Sequence, residues 1–195
     1  ETESAHFHIF RAQCLLALEQ LAGAVTEVQK APDLAPEDAV VLYNTATFLG
    51  MHCDEHFLAC PYYERSVALS PRNADYRFSL AAVYRFLGRT EDAETTWDQA
   101  IELKPDYYEA YLLRTEVRRQ SVSVNHIGQL ENLVAAGIRD WRGETKICHA
   151  LAKEYEEEIL ASPFDEQRYP ATPLARKQCG VYQESLQDPV YVQLL

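Results

Sequence analysis

The chain has 195 residues, 47% of them hydrophobic, which is enough to build a substantial core in one or two domains. Thirty acidic against eighteen basic side chains give a formal net charge of −12. This charge repels phosphate backbones and anionic lipid headgroups, and it therefore argues against nucleic acid and membrane surfaces as partners.

Two further features bear on localisation. No run of the sequence approaches the ~18 apolar residues needed to span a bilayer. The five cysteines are odd in number and widely spaced, unlike a dense disulfide framework, so a soluble protein of the reducing cytoplasm is expected. The chain begins at Glu1 rather than at a methionine, which leaves any targeting signal ahead of it out of view.

The first predicted element is a pair of helices that ends before Pro36. Its apolar and small residues recur at helical spacing: Ala12, Leu15, Leu18, Ala24, Val28 and Ala31. Glu19 stands between the two predicted helices, at the position where a glycine is expected.

A second pair of helices follows, but it is irregular. Its first helix carries Leu42, Tyr43, Asn44 and Ala46, its second carries Ala59, Tyr63 and Ser66, and Pro71 ends it. This segment is one residue longer than the next, lacks a glycine at the turn, and has Pro61 in its second helix. Because proline removes a backbone hydrogen bond, we expect that helix to kink or to begin near Pro61.

The third pair, from Ala74 to Pro105, is the clearest. Apolar residues at helical spacing define both helices: Leu80, Val83, Tyr84 and Leu87, then Ala93, Trp97, Ala100 and Ile101. Gly88 separates the helices, small alanines allow them to approach closely, and Trp97 is expected to fill the space between them.

Helical patterns continue to about Leu160. We predict a helix from Tyr108 to Gln120, a second that is capped by Asn125 and ended by Gly137, and a third from Trp141, whose ring is expected to pack as an anchor. Four prolines then interrupt a polar stretch. Residues 161–195 are therefore predicted to form an extended or disordered tail.

The third pair of helices resembles the tetratricopeptide repeat (TPR) family, through residues in that family's order and spacing: Leu80, Ala81, Tyr84, Gly88, Ala93, Trp97, Ala100 and Pro105. The resemblance implies an all-α fold, a right-handed solenoid of four to five helical hairpins over residues 5–160, with the last hairpin incomplete. It also implies a non-catalytic protein-interaction module that holds a peptide or a helix in a concave groove.

The groove positions follow from the register of the resemblance. They are Tyr43, Asn44, Thr47, Phe78, Arg85, Phe86, Leu112, Glu116 and Arg119. Rigid aromatics and arginines supply most interface hot spots, so Phe78, Arg85, Phe86 and Arg119 are the leading candidates. TPR receptors for chaperone carboxylate tails use a clamp that this chain does not match. Asn44 fits one clamp position, but Ile9, Gln13, Asp75 and Ser79 stand at the others.

Residues 74–157 also look like the repeats that precede the catalytic domain of bacterial TPR-containing sulfotransferases. The motifs that carry this likeness are Asn125-His126, Leu130-Glu131, the run Asp140 to Glu144 and the run Ala150 to Glu154. The alternative function is thus the repeat portion of such an enzyme. The family's phosphate-binding loop has no counterpart after Tyr155, so no cofactor is expected in this chain.

No catalytic motif is apparent, and we expect no enzyme activity from these residues. His52, His56 and Cys60 would face one side of a continuous helix and could then bind zinc, but no second pair of ligands supports such a site. No metal is therefore expected, and the partner is predicted to be a protein or peptide. The sequence leaves open its identity and whether the chain forms homo-oligomers.

Overall fold

The computed structural model describes residues 2–117 and 125–161, with side chains for 4–117 and 125–155. These ranges contain helices and no β-strand. The α-helices are α1 Thr2–Ala17, α2 Leu21–Val28, α3 Lys30–Leu34, α4 Ala39–Thr47, α5 His56–Leu69, α6 Ala74–Phe86, α7 Thr90–Leu103, α8 Tyr108–Thr115, α9 Ile127–Ala136 and α10 Trp141–Ala161, and a π-helix spans Phe48–His52. The predicted all-α fold is confirmed.

The described residues divide into two compact units, one up to Ala110 and one from Tyr111 onward. The first unit contains three successive helical hairpins. Helix α1 pairs with α2 and α3, α4 and its π-helical extension pair with α5, and α6 pairs with α7. The hairpins also stack in chain order, with α4 against α3 and α6 against α5.

Each hairpin reverses direction through one residue in the left-handed backbone region. These residues are Glu19 with φ 60°, Asp54 with φ 58° and Gly88 with φ 73°. In the third hairpin the amide of Arg89 then donates to the carbonyl of Tyr84 at 2.8 Å. This bond closes the C-terminus of a helix that is followed by a residue in the left-handed region. Two of the three turns have a residue other than glycine at that position.

The extra residue of the second hairpin is absorbed by the π-helix. Sixteen positions separate the capping residue Asp38 from Asp54, whereas fifteen separate the capping residue Asn73 from Gly88. The closing bond of the second turn accordingly runs from Glu55 back to Leu49, one residue further than in the other turns. One wider helical turn thus accommodates the insertion and returns the chain to register.

The second helix of this hairpin differs from the prediction. Helix α5 begins at His56 and includes Pro61, so the alternative in which it begins near the proline is wrong, and the kink stays a prediction. The helix starts directly after the left-handed residue Asp54, because the turn and not the proline fixes its first residue. Pro61 is solvent-exposed, where a missing backbone hydrogen bond costs less than it would in the core.

The core of the first unit forms where the predicted small and apolar residues meet. Ala81, Ala93 and Ala100 are completely buried, which lets α6 and α7 approach closely. Trp97 is the largest fully buried side chain and fills the space between these helices as predicted.

A buried carboxylate holds the first hairpin together. Glu27 on α2 is 4% exposed and accepts from Lys30 at 2.7 Å, contacts the His8 ring at 2.7 Å and accepts from Arg11 at 3.1 Å. The hydrogen bonds from Lys30 and His8 lower the pKa of Glu27 to about 2, against the opposing effect of burial. The second half of this hairpin is split into α2 and α3, which the sequence pattern did not predict.

The second unit contains the pair α9 and α10, which pack on each other. His126, and not the predicted Asn125, occupies the N-cap position of α9, while Asn125 accepts from the amide of Ile127. Gly137 ends α9 with φ 79°, as predicted. The buried carboxylate of Glu154 on α10 contacts the ring and the backbone amide of His126 ahead of α9. This contact ties the start of α9 to α10.

Two predictions for this part of the chain are wrong. Helix α8 ends at Thr115, five residues before the predicted Gln120, and residues 118–124 lie outside the described residues. Trp141 is 69% exposed and does not pack as an anchor. Asp140 accounts for the start of α10 instead, since it accepts from the amides of Arg142 and Gly143. The predicted tail, residues 161–195, falls beyond the described residues except at Ala161.

Among the helices of residues 2–117 and 125–161, none is both long enough and apolar enough to cross a lipid bilayer.

Replacing Glu19 by glycine is expected to stabilise the chain by about 0.5 to 1 kcal/mol, because a side chain in the left-handed region is strained and glycine is not. Urea unfolding measures this gain. The control Glu19→Gln removes the charge but keeps the strained backbone, and it should give no comparable gain. Equal gains from both variants would assign the effect to charge.

Trp97→Ala is expected to destabilise the first unit by about 3 to 5 kcal/mol, because it empties a large buried volume. Thermal unfolding followed by far-ultraviolet circular dichroism reports the loss. The chain's other tryptophan supplies the control: Trp141→Ala removes a side chain that is 69% exposed and should change stability by less than about 0.5 kcal/mol. An unchanged melting curve for Trp97→Ala would contradict the packing of α6 on α7.

The Glu27 cluster predicts a specific loss of stability in acid. Because folding lowers the pKa of Glu27 from 4.5 to about 2, its contribution is complete above about pH 4.5 and disappears as the pH falls toward 2. Urea unfolding at a series of pH values should show a smaller acid-dependent loss for Glu27→Gln than for the unmodified chain. The exposed Glu102→Gln serves as the control, and the same slope for both variants would refute the assignment.

Candidate functional site

The predicted groove residues of the first unit lie on the first helices of the second and third hairpins. Tyr43, Asn44 and Thr47 are half-buried on α4, and Phe78 is half-buried on α6. Arg85 and Phe86 are exposed at the end of α6.

Tyr43 lies at the centre of an aromatic cluster. Its ring stacks on that of Tyr76 with centroids 4.4 Å apart and an interplanar angle of 21°. The ring of Tyr63 on α5 meets it edge-on at 5.6 Å. The hydroxyl of Tyr43 also lies 3.1 Å from that of Ser79. These contacts connect α4, α5 and α6 and fix the orientation of the Tyr43 ring.

Thr47 belongs to the same cluster. Its hydroxyl accepts from the phenol of Tyr63 at 3.0 Å. Burial raises the pKa of Tyr63 to about 12, so this phenol keeps its proton and remains a donor at neutral pH. Thr47 therefore serves to hold the cluster as well as to line the face of α4.

A second aromatic pair covers the beginning of α6. Phe78 stacks on Tyr107 with centroids 4.6 Å apart, and Tyr107 belongs to the turn after α7. The ammonium of Lys104 lies 4.4 Å from the Tyr107 ring and 3.9 Å from the Asp75 carboxylate. Burial raises the pKa of Tyr107, and the neighbouring Asp75 raises it further. The Phe78 ring is thus held by a neighbour outside its own helix.

Phe86 combines exposure with a fixed position. The side chain is 65% exposed, yet its ring stacks on that of His56 with centroids 4.2 Å apart and an interplanar angle of 10°. His56 is in turn positioned by Asp54, whose carboxylate lies 3.0 Å from Nε2. Within the part of the chain that the structure describes, the buried Nδ1 of His56 has no hydrogen-bond partner.

The remaining predicted groove residues fall in the second unit. Leu112 is half-buried in α8, and Glu116 is half-buried directly after it. Arg119 lies outside the described residues. Within the first unit, the structure therefore brings predicted residues together on α4 and α6.

The zinc arrangement considered for His52, His56 and Cys60 does not form. The three residues do not share one helix, because the π-helix ends at His52 and α5 begins at His56 after the turn at Asp54. Cys60 instead contacts Glu64 at 3.7 Å, and burial and this carboxylate raise the pKa of its thiol to about 11. Among the described residues, no group of three or more His, Cys, Asp or Glu side chains could hold a metal ion.

Three residues of this surface were not identified from the sequence as parts of it. His56 supports Phe86, Tyr76 stacks on Tyr43, and Tyr107 stacks on Phe78. Tyr76 and Tyr107 are aromatic residues near the beginnings of α6 and α8, so counting aromatics by register could have found them. The role of His56 depends on the π-helix, which the extra residue of the second hairpin signals only indirectly.

Known proteins resemble this chain in fold. The family described as "Tetratricopeptide repeat" matches residues 62–95. A tetratricopeptide repeat protein from Parabacteroides merdae ATCC 43184 has a TM-score of 0.58 and 16% identity, over 98% of this chain and 80% of that one. The first TPR of Spaghetti (RPAP3) bound to the HSP90 peptide SRMEEVD has a TM-score of 0.52 and 18% identity, over 60% of this chain and 92% of that one.

MamA is a third similar structure, with a TM-score of 0.52 and 21% identity over 78% of this chain and 80% of that one. No curated protein matches the sequence. Nothing in these comparisons supports the sulfotransferase resemblance of residues 74–157. What they do support agrees with the hairpins described above: the chain has the all-α TPR fold.

Proposed function

We propose that the chain is a non-catalytic interaction module that binds a peptide or a helix of another protein along α4 and α6 of the first unit. Phe86 is the main contact, and Phe78 and Arg85 of the same helix contribute further contacts. The proposal is confined to the first unit, where the side chains of Tyr43, Thr47 and Phe78 are held by described contacts.

The observation that carries the proposal is the fixed but exposed ring of Phe86. A free phenylalanine side chain loses rotational freedom when a partner covers it, which reduces affinity. Stacking on His56 removes much of that freedom before binding, while 65% of the side chain stays available for contact. A large aromatic that is already ordered in solvent is a favourable hot spot.

The charge around this ring suggests the composition of the partner. Arg85 directly precedes Phe86 and is exposed, and its positive charge would attract a carboxylate of a bound segment. A ligand with an apolar side chain next to an acidic one fits this combination. The rest of the chain carries net negative charge, so acidic residues elsewhere in the ligand would be disfavoured.

The Spaghetti complex supports peptide binding by this fold, since that protein holds an HSP90 peptide. We infer a different ligand for this chain. At the predicted carboxylate-clamp positions Ile9 is buried, Gln13 is exposed and Asp75 carries the wrong charge to receive an acidic tail. The alternative role, the repeat portion of a sulfotransferase, stays a prediction that no contact described above favours.

Alanine substitution of Phe86 is expected to reduce the affinity for a bound peptide by roughly tenfold or more, as is typical of a hot-spot residue. Peptides are first selected from a random phage-displayed library on the full chain, and their affinities are then measured by isothermal titration calorimetry. Arg85→Ala should reduce the affinity most strongly for peptides that carry an acidic residue beside an apolar one.

Phe57→Ala is the matched control for this experiment. Phe57 is a phenylalanine of the same unit that is 82% exposed and lies on α5 rather than on α4 or α6. Its truncation should leave both affinity and helicity unchanged. Peptides that bind Phe86→Ala, Arg85→Ala and Phe78→Ala as tightly as the unmodified chain would refute the proposed site.

A further inference from the structure

A small residue lies between the two aromatic side chains of helix α6. Ala82 follows Phe78 by four residues and precedes Phe86 by four, so the three residues share one face of the helix. Ala82 is half-buried, whereas its neighbour Ala81 is completely buried in the core. Ala82 therefore faces the surface that the first unit presents along α6.

Both rings are held by residues outside α6, so they do not close over Ala82. Phe78 stacks on Tyr107 at the beginning of the helix, with centroids 4.6 Å apart. Phe86 stacks on His56 at the end of the helix, with centroids 4.2 Å apart. Eight residues of α-helix rise about 12 Å, which leaves a recess over Ala82 that is wide enough for one large side chain.

The side of this recess toward α4 is also ordered. The hydroxyl of Tyr43 lies 3.1 Å from that of Ser79, one turn before Ala82. One turn further along α4, the hydroxyl of Thr47 accepts from Tyr63 at 3.0 Å. These hydroxyls are already hydrogen-bonded within the first unit, and the rings and the alanine supply apolar surface. A preformed apolar recess favours an apolar side chain.

The charges at the two ends of this face have opposite signs. Arg85 is exposed beside the position of Phe86 in the sequence. Asp75, three residues before Phe78, keeps 64% of its side chain exposed although Lys104 lies 3.9 Å away. A carboxylate of a bound segment is thus attracted at the Arg85 end and repelled at the Asp75 end. The surface favours a ligand whose acidic residue lies on the Phe86 side.

We propose that Ala82 determines the size of the side chain that the α4 and α6 site accepts. A partner segment inserts one large apolar side chain, such as leucine or phenylalanine, over Ala82 and between the rings of Phe78 and Phe86. An acidic residue of the segment lies on the Phe86 side of the inserted one. This inference rests on the proposed binding function, and it makes Ala82 a specificity-determining residue, since a larger side chain would fill the recess.

Filling the recess tests this assignment. The probes are the peptides selected on the full chain from the phage-displayed library, and isothermal titration calorimetry measures their affinities. Ala82→Leu keeps a strong helix former on α6 but occupies the recess, and it is expected to reduce the affinity at least tenfold. Ala82→Ser keeps the side chain small and should retain most of the affinity. Ala22→Leu is the control, because it adds the same bulk at an exposed alanine on α2.

The peptides supply a second measurement. Each large apolar residue of a peptide is replaced by alanine in turn, and the replacement that costs the most affinity identifies the inserted residue. Ala82→Leu and this replacement remove the same contact, so their effects should not add. Moving the acidic residue of the peptide to the opposite side of the inserted one should reduce the affinity, and this reduction should be smaller on Arg85→Ala.

The results separate this inference from the proposed function. Peptides that bind Ala82→Leu as tightly as Ala22→Leu, although Phe86→Ala reduces their affinity, would overturn the role of Ala82 and leave the binding site in place. Additive effects of Ala82→Leu and the peptide replacement would do the same. If Phe86→Ala, Arg85→Ala and Phe78→Ala all bind like the unmodified chain, or if no peptide binds, the site and the inference fail together. Circular dichroism checks that Ala82→Leu remains folded, and Ala82→Met takes its place if it does not.

Discussion

The first unit depends on a single backbone requirement that recurs three times. Between the two helices of each hairpin, one residue must adopt positive φ so that the next amide can close the first helix and the chain can reverse. Gly88 meets this requirement without strain, whereas Glu19 and Asp54 meet it with a side chain. At Glu19, the packing of the helices and not the local preference of the residue therefore determines where the turn lies.

The second turn links this requirement to the candidate site. The π-helix takes up the extra residue, which places Asp54 in the left-handed position and His56 at the first position of α5. Asp54 then holds the imidazole of His56, and the imidazole supports Phe86 from the next hairpin. An insertion in one repeat thus orders an exposed aromatic of its neighbour. π-Helical turns are often found at functional sites, and this arrangement gives a physical reason for one here.

The sequence predicted the fold well because buried residues recur with a regular spacing. Trp97 and the alanines around it are identifiable from composition and register alone, since only small residues let two helices approach closely. Trp141 shows the limit of this reasoning, because an aromatic residue within a helical pattern is exposed at some positions and buried at others. The support of Phe86 by His56 could not be predicted, because it depends on a three-dimensional shift that a one-residue length difference does not specify.

Repetition also explains why equivalent positions have different roles. A repeat buries its faces only when neighbours are present on both sides, so the environment of a position depends on its place in the array as well as on its residue type. Cys14 and Val83 each stand five residues before the turn residue of their hairpin, yet Val83 is 5% exposed and Cys14 is solvent-exposed. The apolar character of α1 is what this register requires when a neighbour is present. The composition of α1 is therefore that of a helix that packs against another helix.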